Sequence, residues 1–240
     1  MTHLTANWPA PHHIKALTTT RAPGKSLGFY AQNNLGLHVG DDESRVLHNR
    51  ARLIDTFNLP NEPAWLDQTH STDCVVIENE PQRIADAAVT RSTLHPLAIM
   101  TADCLPILLC DTKGTEIAAI HAGWKGLLNG IIQNTLKKML SNPAHLMAWI
   151  GPAICQQCYE IGDEVRNLYT ERYPFTHSAF KQTASGIHAN LPQLAEFILN
   201  HFGVNNVYQS KACTFERKND FYSYRREAQT GRMATLIWFK

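Results

Sequence analysis

The chain has 240 residues, of which 44% are hydrophobic and 18% charged, with 13 Gly and 12 Pro spread along it, which excludes disordered and fibrous classes and predicts one globular domain over residues 1–240. Lys and Arg number 22 against 21 Asp and Glu, and the net charge of +1 offers no broad electrostatic pull toward nucleic acid or an anionic membrane, so neither is expected as a partner.

The first residues, MTHLTANWPAPHHIKALTTTR, lack a basic stretch followed by an apolar run and are interrupted by Pro9 and Pro11; no export signal is expected, and the sequence reads as cytoplasmic. Residues 20–42 place several glycines among Asn33, Asn34, Asp41 and Asp42, which predicts loop with short extended pieces. Asp42 is an N-cap candidate, and Val46, Asn49, Arg50 and Leu53 recur at helical spacing, predicting a helix that carries Arg50 and runs to about Phe57. From Trp65 the pattern turns to strands in TDCVVIEN, PLAIMTADCLPILLCD and TEIAAIHAG, short β-branched or apolar runs interrupted by Pro106 and Gly114. None approaches the roughly 20 apolar residues of a membrane-spanning helix. In WKGLLNGIIQNTLKKML, Leu127, Leu128, Ile131, Ile132, Leu136, Met139 and Leu140 recur at three and four, predicting one continuous amphipathic helix. LMAWIGPAI predicts a strand, IGDEVRNLYTERY a helix, NLPQLAEFILNHFG a helix with Pro192 near its start and Gly203 at its end, and MATLIWFK a final strand. Between the last two, Arg217, Lys218, Arg225 and Arg226 alternate with Phe215, Phe221, Tyr222 and Tyr224, which predicts a strand with solvated and buried positions and one Arg able to reach a phosphate or sugar. The mixture is α/β or α+β, with no clean linker.

Metal-competent residues sit at the ends of apolar runs, in Gln68-Thr69-His70, Thr101-Ala102-Asp103-Cys104 and His121-Ala122-Gly123-Trp124. One thiolate and two imidazoles form a borderline-soft donor set that suits Zn²⁺, and three protein ligands leave a fourth position for water or substrate. The fold must bring them together, because their separations carry no specificity; the same residues also read as a buried free thiol and two hydrogen-bonded histidines. His121 leads into a helix start through Gly123 and Gly126, where backbone N–H groups and Lys125 could receive an anion, although a tight strand-to-helix turn explains the same residues. The six cysteines predict free thiols or metal ligands, and Cys155 with Cys158 reads as a structural thiol pair. A cytidine-deaminase type of zinc site is excluded, since no His-x-Glu occurs and Pro152 precedes Cys155 too early. The paired His-x-His ligands of multicopper oxidases are absent as well.

Taken together, TTTR, NNLGLHVGDD, DQTHSTD, ADAAVT, TADCLPILLCD, AAIHAGWKGLLNGI, WIGPAICQQCYEIGDEV and FYSYRREAQTGRMATLIW resemble the YfiH family, long labelled laccase domain or polyphenol oxidase, over nearly the whole chain. The resemblance implies a single-domain layered α/β/β/α sandwich with mixed sheets, similar to a bacterial toxin cysteine-hydrolase domain. It implies metal ligands at His70, Cys104 and His121, with Zn²⁺ as the expected metal and copper as the alternative that the laccase label carries. Family members are described as purine nucleoside enzymes that phosphorolyse adenosine, inosine, guanosine and methylthioadenosine and deaminate adenosine. Others are described as peptidoglycan-editing hydrolases that remove L-Ser from UDP-MurNAc-L-Ser, with the cysteine at position 104 essential. The family's adjacent cysteines before Tyr-Glu are replaced here by Gln157 and Cys158.

For deamination, Asp103 is the candidate general acid/base or ligand-orienting group beside Cys104, with a strand-end cap as the other reading. For phosphorolysis, Arg50 and Lys125 are candidate phosphate groups, and Asn34, His38 and Gln68 candidate sugar or base contacts. For amide hydrolysis, an unmetallated Cys104 becomes the nucleophile and a histidine activates it. A non-catalytic, zinc-stabilised binding protein is the remaining class. A monomer acting on small molecules is expected.

Overall fold

The computed structural model describes residues 1–240. In chain order the elements are β1 (His3–Thr5), β2 (Ile14–Thr19), α1 (Glu43–Phe57), β3 (Cys74–Val76), β4 (Ala87–Thr90), β5 (Leu97–Thr101), β6 (Leu105–Asp111), β7 (Ile117–Ala122), α2 (Trp124–Asn129), α3 (Ile131–Lys138), β8 (Leu146–Ile150), β9 (Glu160–Ile161), α4 (Asp163–Arg172), β10 (Phe180–Gln182), β11 (Ile187–Ala189), α5 (Leu191–His201), β12 (Asn206–Gln209) and β13 (Met233–Phe239). No helix is long and apolar enough to cross a membrane.

Alternation along the strands dictates the layering. A six-stranded sheet of order β12-β8-β6-β7-β4-β3 is antiparallel at its centre and parallel at both edges. In β6, Leu105, Ile107 and Leu109 point to one face and pack with Leu127, Ile131, Tyr169 and Leu194 from α2, α3, α4 and α5. Leu108 and Cys110 point to the other face and meet Ile99, Ile237 and Phe239 of a second, antiparallel sheet of order β1-β2-β13-β5. The far face of that sheet presents Leu17, Ala98, Leu236 and Trp238 to Leu53 of α1. The result is the expected α/β/β/α sandwich, with a three-stranded ribbon, β10-β11-β9, beside it. Trp149 is fully buried between the sheets, and its indole N–H donates to Asn7 Oδ1 at 2.8 Å, tying the N-terminal segment across the core.

α1 starts where its sequence signal places it, with the Asp42 carboxylate accepting from Arg45 N at 3.3 Å, and ends at Asn58 in the left-handed region. Two expectations fail, and two strands were not foreseen. The continuous helix expected after His121 is two helices, because Gly130 adopts φ +105°, a backbone conformation that residues with a Cβ rarely adopt, and its N–H closes α2 on Gly126 O at 3.1 Å. Leu127, Leu128, Ile131 and Ile132 reach the same core across the break, and the apolar spacing therefore hides it. The strand expected around Arg217–Arg226 is a run of turns. There the Arg226 guanidinium donates to the carbonyls of Thr214, Phe215 and Phe221 at 2.8–3.0 Å, taking acceptors that a ladder would use. Finally, β1 and β2 arise from an N-terminal stretch with no strand signal strong enough to read.

Replacing Gly130 by Ala is expected to destabilise the protein by about 1–3 kcal/mol in chemical denaturation, because the strain is in the backbone and the nearest atom to a new Cβ lies 3.6 Å away. A continuous helix would instead gain about 1 kcal/mol from the same change.

Candidate functional site

The register of three strands builds the site. Pairing of β6 with β7 sets Leu105 opposite Ala122 and Pro106 opposite His121, so the turn before β6 meets the turn after β7. Cys104 occupies the first of these turns, following Asp103 at φ +89°, and Gly123 the second. Pairing of β4 with β7 brings Asp86, the residue before β4, against His121, whose N–H donates to the Asp86 carbonyl at 2.7 Å. The Asp86 carboxylate is fully buried and accepts from the N–H groups of Thr69, His70 and Ser71 at 3.1, 3.0 and 2.6 Å and from the Ser71 hydroxyl at 2.8 Å. It thereby holds the loop that projects His70, itself at φ +61°.

Sequence separations thus collapse into one cluster, with the ligand atoms of His70, Cys104 and His121 all within 4.8 Å of one another. Cys104 Sγ lies 3.7 Å from His70 Nε2, and the two imidazoles meet edge to face at 4.7 Å. His121 Nδ1 is hydrogen-bonded to Asp86 at 2.7 Å, which turns the other ring nitrogen toward the cysteine sulfur. Gly123 is required here, since a Cβ would stand 2.8 Å from the His70 ring and 3.2 Å from Cys104 Sγ. Two imidazoles and one thiolate converging with a carboxylate behind one imidazole is a donor set that fits a zinc ion and leaves the cleft side open.

Electrostatics follow from this packing. Burial pushes the Asp86 carboxyl up, but the hydrogen bonds from His121 and Ser71 and the His121 charge outweigh it and bring it to about 2. Burial pulls His121 down, and its bonds to Asp86 and Cys104 reverse that to about 9. Burial likewise opposes ionisation of Cys104, while the two histidines bring its thiol down to about 6.

The cluster forms part of the wall of a cleft of about 550 Å³. Trp124, Ile154, Tyr159 and Leu191 give it apolar surface, and Arg225, Arg232 and Tyr224 face it from the C-terminal turns. Burial pushes the Tyr159 hydroxyl up to about 12 and pulls Arg232 down from its ordinary value. The hydroxyl of Thr101 is buried beside the cleft without a partner.

Of the residues singled out in the sequence, His38 and Gln68 line this cleft, whereas Arg50, Asn34 and Lys125 do not. Gln68 spends its amide on the backbone of Met100, donating to its carbonyl at 2.7 Å and accepting from its N–H at 2.8 Å. Burial, followed by the charges of Arg232 and Arg50, lowers the pKa of His38. Arg50 is buried behind Met100, donating to Leu35 O at 2.9 Å and lying 4.0 Å over the Trp65 ring. Asn34 accepts from Arg232 N at 2.9 Å and donates to Asp41, so it acts on the cleft through Arg232. Lys125 is exposed against Trp124. Asp103 lines the cleft, but its carboxylate accepts from Thr214 Oγ1 at 2.6 Å, Ser223 Oγ at 2.9 Å and Arg225 N at 2.7 Å. Those bonds make it an anchor for the C-terminal turns, and the strand-end reading prevails over general acid/base. Arg232, Tyr159 and Trp124 were not foreseen; among them only the density of Arg and Tyr between positions 221 and 232 carried a signal, and it pointed to a strand.

The family model described as multi-copper polyphenol oxidoreductase laccase matches residues 15–240. The chain is 41% identical over 233 residues to the purine nucleoside phosphorylase YfiH of Escherichia coli, covering 96% of each chain, and 42% identical over 244 residues to a purine nucleoside phosphorylase of Haemophilus influenzae, covering all of both. Among solved structures, the Neisseria meningitidis protein NMB0706 superposes with a TM-score of 0.95 at 43% identity over both full chains, and YlmD from Geobacillus stearothermophilus with 0.85 at 28% identity over 97% and 94%. Similarity of this extent in both sequence and fold places the chain in the YfiH family of laccase-type domains.

Proposed function

We propose that the protein is a zinc-dependent purine nucleoside phosphorylase that also deaminates adenosine, with adenosine, inosine, guanosine and methylthioadenosine as substrates. The observation that carries the reading is the convergence of His70, Cys104 and His121 at a cleft that also holds Arg225 and Arg232; relatives named purine nucleoside phosphorylase support it. Zinc is favoured over copper because neither phosphorolysis nor deamination changes an oxidation state, and one thiolate with two imidazoles suits its borderline softness. Bound there, the ion supplies Lewis acidity and a water of lowered pKa.

The chain's own groups divide the remaining work. Phosphorolysis joins a phosphate oxygen to the ribose anomeric carbon as the bond to the base breaks, so the phosphate must be held beside the sugar. Arg232 uses Nη1 on the carbonyls of Thr230 and Gly231, which aims the rest of its guanidinium at the cleft, and Arg225 is braced by Glu160 O at 3.0 Å. These two cations hold the phosphate. Tyr159, Trp124 and Tyr224 present ring surface to the purine. His38, with its pKa below the ordinary value, is neutral at pH 7 and serves as a hydrogen-bond partner of the sugar or base. The reading includes a cytoplasmic monomer, and a net charge of +1 is in keeping with small molecules rather than nucleic acid as its partners.

One observation favours a second reading. A thiol brought to about 6 beside two imidazoles is an activated nucleophile. Without zinc, the Cys104 thiolate would attack the amide carbon of UDP-MurNAc-L-Ser, the C–N bond would break with L-Ser leaving as an amine protonated by an imidazole, and water would hydrolyse the thioester to restore the thiolate.

Wild-type protein is expected to carry zinc and to release adenine from adenosine only with phosphate present, and inosine without it; Cys104→Ala is expected to lose the zinc of the His70, Cys104 and His121 cluster and both products. Zinc-loaded wild type that leaves adenosine intact in both conditions would sink the purine reading, and UDP-MurNAc-L-Ser would be tested next. Asp86→Asn is expected to weaken zinc binding about 10–100-fold in chelator competition, because the support behind His121 is lost. In zinc-free protein the thiolate fraction of Cys104 grows as pH rises through about 6, so alkylation at this residue is expected to level off by about pH 7, where an ordinary thiol with a pKa of about 8.5 is still accelerating. A midpoint at the ordinary value, measured by mass spectrometry of the alkylated peptide, would remove the nucleophile reading.

A further inference from the structure

A second group of soft donors lies outside the ligand cluster of the cleft. Cys155 and Cys158 bracket a single 3-10 turn, Gln156–Cys158, and the bridge pairing Ala153 with Cys213 delivers a third thiol. The three sulfur atoms lie within 4.8 Å of one another. Cys155 N–H donates to Cys213 Sγ at 3.4 Å, and the Cys158 thiol is 3.9 Å from Glu216 Oε1. We propose that Cys155, Cys158 and Cys213, with Glu216 as the fourth donor, form a structural zinc site distinct from the His70, Cys104 and His121 cluster.

The geometry supports zinc at several levels. Two cysteines separated by two residues on a tight turn are the short-spaced half of a structural zinc site, and the other half comes here from a distant segment. Zinc–sulfur bonds of about 2.3 Å in a tetrahedron set sulfurs about 3.8 Å apart, a short closure from the observed spacing. The backbone N–H aimed at Cys213 Sγ stabilises the charge that a thiolate ligand carries. Cys213 is buried whereas Cys155 and Cys158 are half-buried, and Cys155 borders a surface pocket of about 190 Å³. Binding releases the three thiol protons to solvent and leaves three thiolates and one carboxylate around the ion. The Arg226 guanidinium, which lies on the carbonyls of Thr214 and Phe215 between Cys213 and Glu216, offsets part of that negative charge.

Position gives the site its role. The segment 153–158 continues into Tyr159 and contains Ile154, both on the cleft wall, and the segment after Cys213 leads to the turns that Asp103 anchors through Thr214, Ser223 and Arg225. Zinc at this point ties the two segments together and stiffens the wall that carries Tyr159 and Arg225. A single disulfide would use two of the three sulfurs and leave the third and the carboxylate unexplained.

The test is cadmium NMR of the reduced, full-length protein, with zinc analysis of the same variants. Two resonances are expected, one moved far downfield by sulfur-rich ligation. That resonance should vanish in Cys158→Ser and Cys213→Ser, together with one zinc equivalent, and persist in Cys104→Ala, which should lose only the other. Cys158 is half-buried, so its variant keeps the test valid even where Cys213→Ser fails to fold. A single resonance that disappears with Cys104→Ala overturns the proposal, as does a disulfide among the three cysteines in protein purified under reductant with zinc present.

Discussion

The carboxylate of Asp86 orders two parts of the site at once, the loop around His70 and the imidazole of His121. It is fully buried, collects three consecutive N–H groups and one hydroxyl from the loop around His70, and holds the Nδ1 side of His121. Successive N–H groups converging on one anion form a concave backbone arrangement, and the left-handed turn at His70 belongs to that curl. Burying a carboxylate is costly unless every lone pair is used, and here the hydrogen bonds outweigh the desolvation so far that the group stays ionised. A single side chain therefore fixes both the loop that presents one imidazole and the orientation of the other.

Everything else at the ligand cluster comes from strand register. Cys104 and His121 are far apart in the chain, yet both lie where β6 begins and β7 ends, so the antiparallel pairing that buries Leu105, Ile107 and Ile120 also sets sulfur beside imidazole. A slip by one residue would turn every one of these side chains to the opposite face. The apolar core and the site are consequently specified by the same alternation.

That coupling explains what could be read from sequence. His70, Cys104 and His121 were legible because metal-competent residues stood at the ends of apolar runs, and the mixed α/β class because those runs alternated with amphipathic helices, whereas the layering into a sandwich was implied only by the family resemblance. Asp86 was not, since an acidic residue before a short strand looks like any solvated one until β4 pairs with β7. Arg50 and Asn34 lie off the cleft for the complementary reason: a polar residue facing a substrate and one whose hydrogen bonds are spent inside the fold have the same letter, and only tertiary contact separates them. The helix break at Gly130 was hidden because both halves feed one core, whereas a glycine's sign of φ leaves no periodic trace.

The two sides of the cleft are built on different terms. One side rests on ladders of three paired strands, while the facing turns from Thr214 to Arg225 have no ladder and are held by side chains, chiefly the Asp103 carboxylate, the Arg226 guanidinium and the buried Phe221 and Tyr222. Residues 215–222 lie between those anchor points. Phe221 and Tyr222 among them are fully buried, whereas Tyr224 and Arg225, just beyond, are exposed, face the cleft and belong to no strand, so what the cleft presents on this side is independent of the strands that set His70, Cys104 and His121.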